Sequence, residues 1–327
     1  MYNHLINLNW ETMKKIIFTI LITYISLQAL TIEARKSKTD LSKITPISRE
    51  WMTAKVSELI LYPETNSTAK AKKAGVRVLY NEKNIAFLIE WHDKTKSVQK
   101  ELNGTNYADG FTIQFASNLE IGKLPYIKMG SKDREVLVHK QRFYKSKNKK
   151  TFIAEGSKSI KNIEINSTSS MEHLGKNWRG TLIRPIKDNY INLSSDAIAV
   201  SFVIWHSEND NEGLKLLSSW VGVSKDAKED NALLATLNAK AEGDIKRGKE
   251  LAKKYCASCH NYKTTPNLTN IGGYASTVYL IESIVKPNAV VADGKNISSM
   301  PSFNYLPTKD ILDIVTFFQT LKETSKD

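Results

Sequence analysis

Cysteine is nearly missing: Cys256 and Cys259 are the only two in 327 residues. A disulfide framework is excluded, and a metal site built on thiolates would need its other ligands from elsewhere. Long apolar runs are equally scarce. Only Ile16 to Leu30 approaches the roughly 20 residues that a membrane span needs. No nucleophile–base pair, phosphate loop or paired-carboxylate pattern stands out, so no catalytic centre is legible and the chain reads as non-catalytic. No internal repeat is visible.

What is present suits a globular protein, with 41% hydrophobic and 25% charged residues. The length suffices for two domains, each with its own core. Lys14 and Lys15 precede the apolar run, and small residues follow at Ala29 and Ala34. That is the pattern of a secretory signal, expected over residues 1–34 with Met13 as an alternative start; a retained anchor is the other reading. Removal would leave an exported protein without a membrane span, in the periplasm or an equivalent lumen. The net charge is +13, and Lys145, Lys147, Lys149, Lys150, Lys158 and Lys161 crowd one loop-like stretch. In an exported protein this suits a solvated loop or a docking face for an acidic protein, not a nucleic-acid site.

From about residue 40 to 223, short apolar runs alternate with polar breaks: Val76–Tyr80, Ile85–Trp91, Phe111–Phe115, Glu135–His139 and Ala197–Trp205. They predict an antiparallel β-sandwich. Residues 224–240 turn to Ala, Lys, Glu, Asp and Asn, the composition of a polar linker or short exposed helix. From 241 to 327 the period becomes helical, and Thr308 is expected to cap the last helix.

Cys256-Ala257-Ser258-Cys259-His260 is the attachment motif of c-type haem: two thiols for the vinyl groups and an adjacent imidazole for the iron. A redox dithiol does not need the histidine, and a zinc site lacks its remaining cysteines. Gly243 to His260, Pro266-Asn267-Leu268, Gly272-Gly273, Ile284, Pro287, Met300-Pro301-Ser302-Phe303 and Leu312 to Leu321 resemble, in order, the class I cytochromes c. The resemblance implies an all-α domain with one covalent haem c held by Cys256 and Cys259. His260 and Met300 would be its iron ligands, a pair that raises the potential.

A looser ordered series fills the β zone: Trp91 and Asp93, Ala108-Asp109-Gly110, Pro125 to Gly130, Gly175, Asn177-Trp178, Arg184, Trp205, Leu214-Lys215 and Ser219-Trp220. It resembles the haem-binding γ subunits of the DMSO reductase superfamily, as in ethylbenzene dehydrogenase, selenate reductase, chlorate reductase and nitrite oxidoreductase. The resemblance implies a non-covalent haem b with Met129 and Lys215 as iron ligands. His92, His139, His173 and His206 match no ligand position and are expected at the surface or behind the ligands. Implied partners are a molybdenum catalytic subunit, an iron–sulfur subunit and a soluble carrier such as a cytochrome c, with a nitrite oxidoreductase or nitrate reductase as the expected complex. Two other readings stay open. One is a free dihaem shuttle. The other is a carbohydrate- or ligand-binding sandwich tethered to a monohaem cytochrome, with Trp51, Trp91 or Trp178 as a stacking platform.

Overall fold

A computed structural model describes residues 31–64, 70–97, 108–117, 123–143, 148–206, 214–226, 231–260, 267–291 and 299–322. Its strands are β1 (Thr31–Lys36), β2 (Ser57–Pro63), β3 (Lys72–Tyr80), β4 (Asn84–His92), β5 (Gly110–Ala116), β6 (Val136–Arg142) and β7 (Asn148–Ala154). There follow β8 (Ile160–Asn162), β9 (Thr168–Leu174), β10 (Asn177–Pro185), β11 (Ala197–His206), β12 (Leu214–Leu217) and β13 (Val221–Ser224). All five apolar runs read from the sequence fall on strands, apart from Glu135, which precedes β6, and most are extended by a residue or more.

The strands form two facing layers. The front layer runs β8-β7-β6-β5-β11, with β12 and β13 both on the far side of β11; the back layer runs β9-β10-β4-β3-β2. Two joints close the edges. β12 pairs with β2, and β1 runs parallel first to β13, through Thr31–Glu33, and then to β3, through Ala34–Lys36. Strand alternation turns Phe87, Ile89 and Trp91 of the back layer toward Phe115, Phe202 and Ile204 of the front. Phe87 meets Phe115 edge-on at 5.5 Å, a favoured aromatic geometry, so the two sheets share a dry core. On the outside of the back layer, Trp51 and Leu41 cover Leu79 and Leu88.

The other outer face is covered by helices: α1 (Ala232–Asn238), α2 (Ile245–Tyr255), α3 (Ile271–Tyr274), α4 (Thr277–Val285) and α5 (Thr308–Thr320). Asn231 caps α1 and Asp244 caps α2 through side-chain oxygens that accept from backbone N–H groups. Helices α2 and α5 cross at Gly248. A β-carbon there would overlap the Asp313 carbonyl oxygen, a backbone atom that cannot step aside. Asp313 is buried and accepts from Asp244 N, Arg247 and Lys309, tying the crossing together. Gly248→Ala is therefore expected to cost about 3 kcal/mol by forcing the helices apart. The check is thermal unfolding by circular dichroism; an unchanged midpoint would refute the crossing.

Several expectations change. The helical unit does not hang from an exposed linker, because Leu234 and Leu237 of α1 are buried, against Gly222 of β13. Nor are the two cores separate: Val136, Val138, Leu217 and Trp220 of the front layer are continuous with Ile281, Ile284 and Ile314 of the helices. The lysine-rich stretch is not a loop, since Lys149 and Lys150 belong to β7 and Lys161 to β8, while residues 144–147 lie outside the described residues. Pro307, not Thr308, is the N-cap of α5, and it makes no side-chain bond. The expected leader falls outside the described residues up to position 30, but β1 begins at Thr31 with Ile32 fully buried. A cut after Ala34 would halve that strand. Among the described residues no helix is long and apolar enough to cross a membrane.

Candidate functional site

Helix α2 ends where the two thiols begin. The turn is closed by Cys259 N and His260 N, which both donate to Cys256 O, at 3.2 and 2.9 Å. This places Cys256 inside and Cys259 outside, with His260 half-buried. Burial, and then the neighbouring Cys259, push the Cys256 thiol up to about 11. Beside the turn lies a cavity of about 500 Å³, walled by Ala252, Cys256, His260, Leu268, Phe318 and Leu321 among others. Its size falls within the roughly 300–1,000 Å³ of cofactor pockets. Cys256 and His260 line this cavity and Cys259 stands exposed at the same turn; two thiols and an imidazole are the donor set that a covalent haem requires, so the residues fit the group.

Met300 packs half-buried on the same apolar core but does not line that cavity. Its loop is fixed by Ser302 Oγ donating to Val285 O at 2.7 Å and by Phe303, whose ring meets Tyr255 at 5.9 Å. Pro266, in the expected series, lies outside the described residues.

The second candidate site lies on the outer face of the front layer. Met129 sits in the turn Tyr126–Gly130, closed by Gly130 N donating to Tyr126 O at 2.9 Å. Its backbone is left-handed, with φ +83°, a conformation L side chains disfavour. Gly130 follows at φ +71°, where a β-carbon would come within 2.7 Å of Ala154 O, so only glycine fits. Lys215 lies on β12 opposite Trp205. Its ammonium is 3.1 Å from Glu64 and 5.1 Å from the centre of the Trp205 ring. Lys140 and Arg142 crowd the same ring at 4.4 and 3.7 Å. Burial first, then Arg142 and Lys215, bring Lys140 down to about 8. Met129 and Lys215 are thus on one face of one sheet. Gln114 of β5 donates to Ile127 O in the Met129 turn, and Thr112, two residues earlier, accepts from Trp205. The two anchor points are about 7 Å apart along the strand.

Two of the four histidines are far from the surface. His139 and His206 are buried at 1% exposure each. Arg184 reaches His139 Nε2 at 3.4 Å, while Thr151 lies 3.2 Å from Nδ1. Burial, then Arg184 and Lys149, hold its pKa well below the usual histidine value. The neutral folded form means stability is full above the unfolded value near 6.5 and declines as pH falls below it. Between pH 7.5 and 5.0 the wild type should lose up to about 2 kcal/mol more than His139→Gln, as read from urea unfolding at each pH. Equal losses would contradict the buried neutral imidazole.

His206 pairs with Asp93 through Nδ1, and its Nε2 lies 2.7 Å from the Lys72 ammonium. With Asp109 these residues form a buried group whose ligand atoms lie within 4.8 Å of one another. Burial works to raise the Asp93 carboxyl, but hydrogen bonds from His206 and Thr95 hold it below its ordinary value. Lys72 brings a cation to the His206 end of this cluster. The cluster escaped the sequence reading because its members come from four separate segments. His173 Nε2 meets this corner at Asp93 O, 2.9 Å away, and His92 is exposed beside Asn177. The stacking platform fails outright: Trp51, Trp91 and Trp178 are 1%, 2% and 0% exposed, so none can meet a ligand.

The model of the family described as cytochrome C oxidase, cbb3-type, subunit III matches residues 243–318. That segment is a cytochrome c domain, and it implies a haem c. No curated protein matches the chain. Among solved structures, a family 9 carbohydrate-binding module from Caldicellulosiruptor kristjanssonii in complex with cellotriose is similar at 12% identity. The match covers 62% of this chain and 96% of the module, with a TM-score of 0.41. A putative carbohydrate-binding protein from Bacteroides uniformis is similar at 8% identity, covering 61% of this chain and 100% of that protein, with a TM-score of 0.41.

Proposed function

We propose that the chain is an exported, non-catalytic electron-transfer subunit with haem c in its helical domain and haem b on the outer face of the front sheet. The observation that carries the reading is the Cys256–His260 turn seated on an apolar cavity of about 500 Å³ within a cytochrome c domain. Cys256 and Cys259 would bind haem c, with His260 and Met300 on its iron; Met129 and Lys215 would bind haem b. When bound, such groups supply one-electron oxidation and reduction without bonds made or broken in a substrate.

The protein's own contribution is positional and electrostatic. Leu268, Phe318 and Leu321 keep water from one wall of the cavity, which favours the less charged state of a bound cofactor. At the other site, ligation by lysine requires the neutral amine, and Lys215 must give up its contact with Glu64 to reach an iron. The partners we propose are a molybdenum catalytic subunit and an iron–sulfur subunit of the nitrite oxidoreductase or nitrate reductase type, with a soluble cytochrome c as the outer carrier.

The deciding experiment is a pyridine haemochrome assay on the purified chain. Equal haem b and haem c support the dihaem reading. Haem c alone would refute it and favour a ligand-binding sandwich tethered to a monohaem cytochrome. Co-purification with molybdenum would separate a subunit from a free shuttle.

Met300 has its own expected outcome. Met300→Ala should lower the haem c potential and let cyanide or imidazole bind the iron, because a soft neutral ligand has been removed. Redox titration and optical ligand binding check it, and an unchanged potential would move the distal ligand elsewhere.

A further inference from the structure

The turn that carries Met129 is held from the cytochrome side. Arg134, at the end of the same loop, forms a two-pronged ion pair with Glu282 of α4, at 2.6 and 2.7 Å, with both side chains largely buried. The same guanidinium donates to Leu124 O at 3.1 Å, so one side chain fastens both ends of the loop. Two further residues of the loop finish on the helices. The Tyr126 ring meets Tyr279 of α4 at 5.7 Å, and the Lys128 ammonium lies 5.4 Å from the Tyr274 ring of α3. Between these fixed points Met129 is kept in its left-handed conformation, which an unrestrained methionine would leave.

We propose that Arg134 and Glu282 are a positioning pair through which the cytochrome domain sets the Met129 turn, and with it the ligation of haem b. The proposal rests on the reading of Met129 as a haem b ligand. Neither residue touches a cofactor in this scheme. Glu282 acts on Met129 only through Arg134 and the loop backbone, and the pair is a rigid two-pronged joint between loop and helix. A change in the fold of one domain is thereby felt at the site of the other.

The test is Glu282→Gln in the full chain, with three readouts. Amide exchange at Gly130, Ser131 and Arg134, whose N–H groups close the loop, should quicken by roughly tenfold, the scale of one charged hydrogen bond. Haem b should shift from low toward high spin in electron paramagnetic resonance. Haem c, on a denaturing gel stained for haem, should be complete. Glu282→Asp, which keeps the charge on a shorter stem, should fall between wild type and Gln. If the Gln variant loses haem c, Arg134→Lys gives the same comparison with a charge kept on the loop. Exchange and spin state equal to wild type would overturn the proposal, and so would faster exchange with haem b untouched. Should the wild type carry haem c alone, the Met129 reading has failed by itself. Exchange at the loop amides then decides whether the pair positions the turn.

Discussion

Replacing both Cys256 and Cys259 with alanine is expected to leave no haem on the polypeptide after denaturation, whereas either single variant keeps one link. The effect should extend beyond the cofactor. The cavity beside the turn measures about 500 Å³. Without the cofactor the opening is left to water, which Lys249, Lys253 and Asn267 on its wall can bind but Leu268, Phe318 and Leu321 cannot. The double variant should therefore lose much of its helical circular dichroism. Because the helices cover the front sheet, it should also expose Val138, Leu217 and Trp220 to dyes that bind apolar surface. A haem-stained band at full intensity in the double variant would end the c-type assignment.

Loss of haem b is the second large effect expected, from Lys215→Ala and, less obviously, from Lys215→Arg. Arginine retains charge and length, but its guanidinium stays protonated and offers no lone pair to iron. Met129→Ala should act similarly by removing the thioether. Glu64→Gln should move the other way. It removes the carboxylate that holds the Lys215 side chain at 3.1 Å and competes with iron for it, so haem b should bind more tightly. Absorption and electron paramagnetic resonance report content and spin state. Full low-spin haem b in both the Lys215 and the Met129 variants would remove these residues from the iron and leave the cytochrome domain untouched.

How much of this was legible in the sequence depends on how local the signal is. The strand runs were visible because alternation is a property of neighbouring residues, and Cys256 to His260 because the chemistry fits in five consecutive positions. β7 was hidden because Lys149 and Lys150 lie at its start, and a cation-rich opening looks like a loop until Phe152 and Ala154 find the apolar face they cover. Trp91 and Trp178 looked available for stacking, but they stack on each other at 6.2 Å inside the core. The clamp on the Met129 turn could not be read at all. Arg134 and Glu282 are 148 positions apart, and no periodicity links a loop arginine to a helix glutamate. The same holds for Asp93 and His206, 113 positions apart, whose pairing exists only once the fold brings the ends of β4 and β11 together.

The first strand also dictates an order of assembly. Thr31–Glu33 pairs with β13, the last strand of the sandwich, and Ala34–Lys36 with β3. A chain synthesised from its N-terminus must therefore keep this segment unsatisfied until the rest of the sandwich has followed. The entropy of that closure grows slowly with length, but its search is long. Helix α1 begins soon after Ser224, the end of β13, so the seat for the helical domain is completed just before that domain arrives. Maturation of the cytochrome turn then competes in time with closure of the sandwich. A chain that acquires its covalent cofactor early would carry a finished helical domain waiting for its seat, and a blocked Thr31 edge would strand it there.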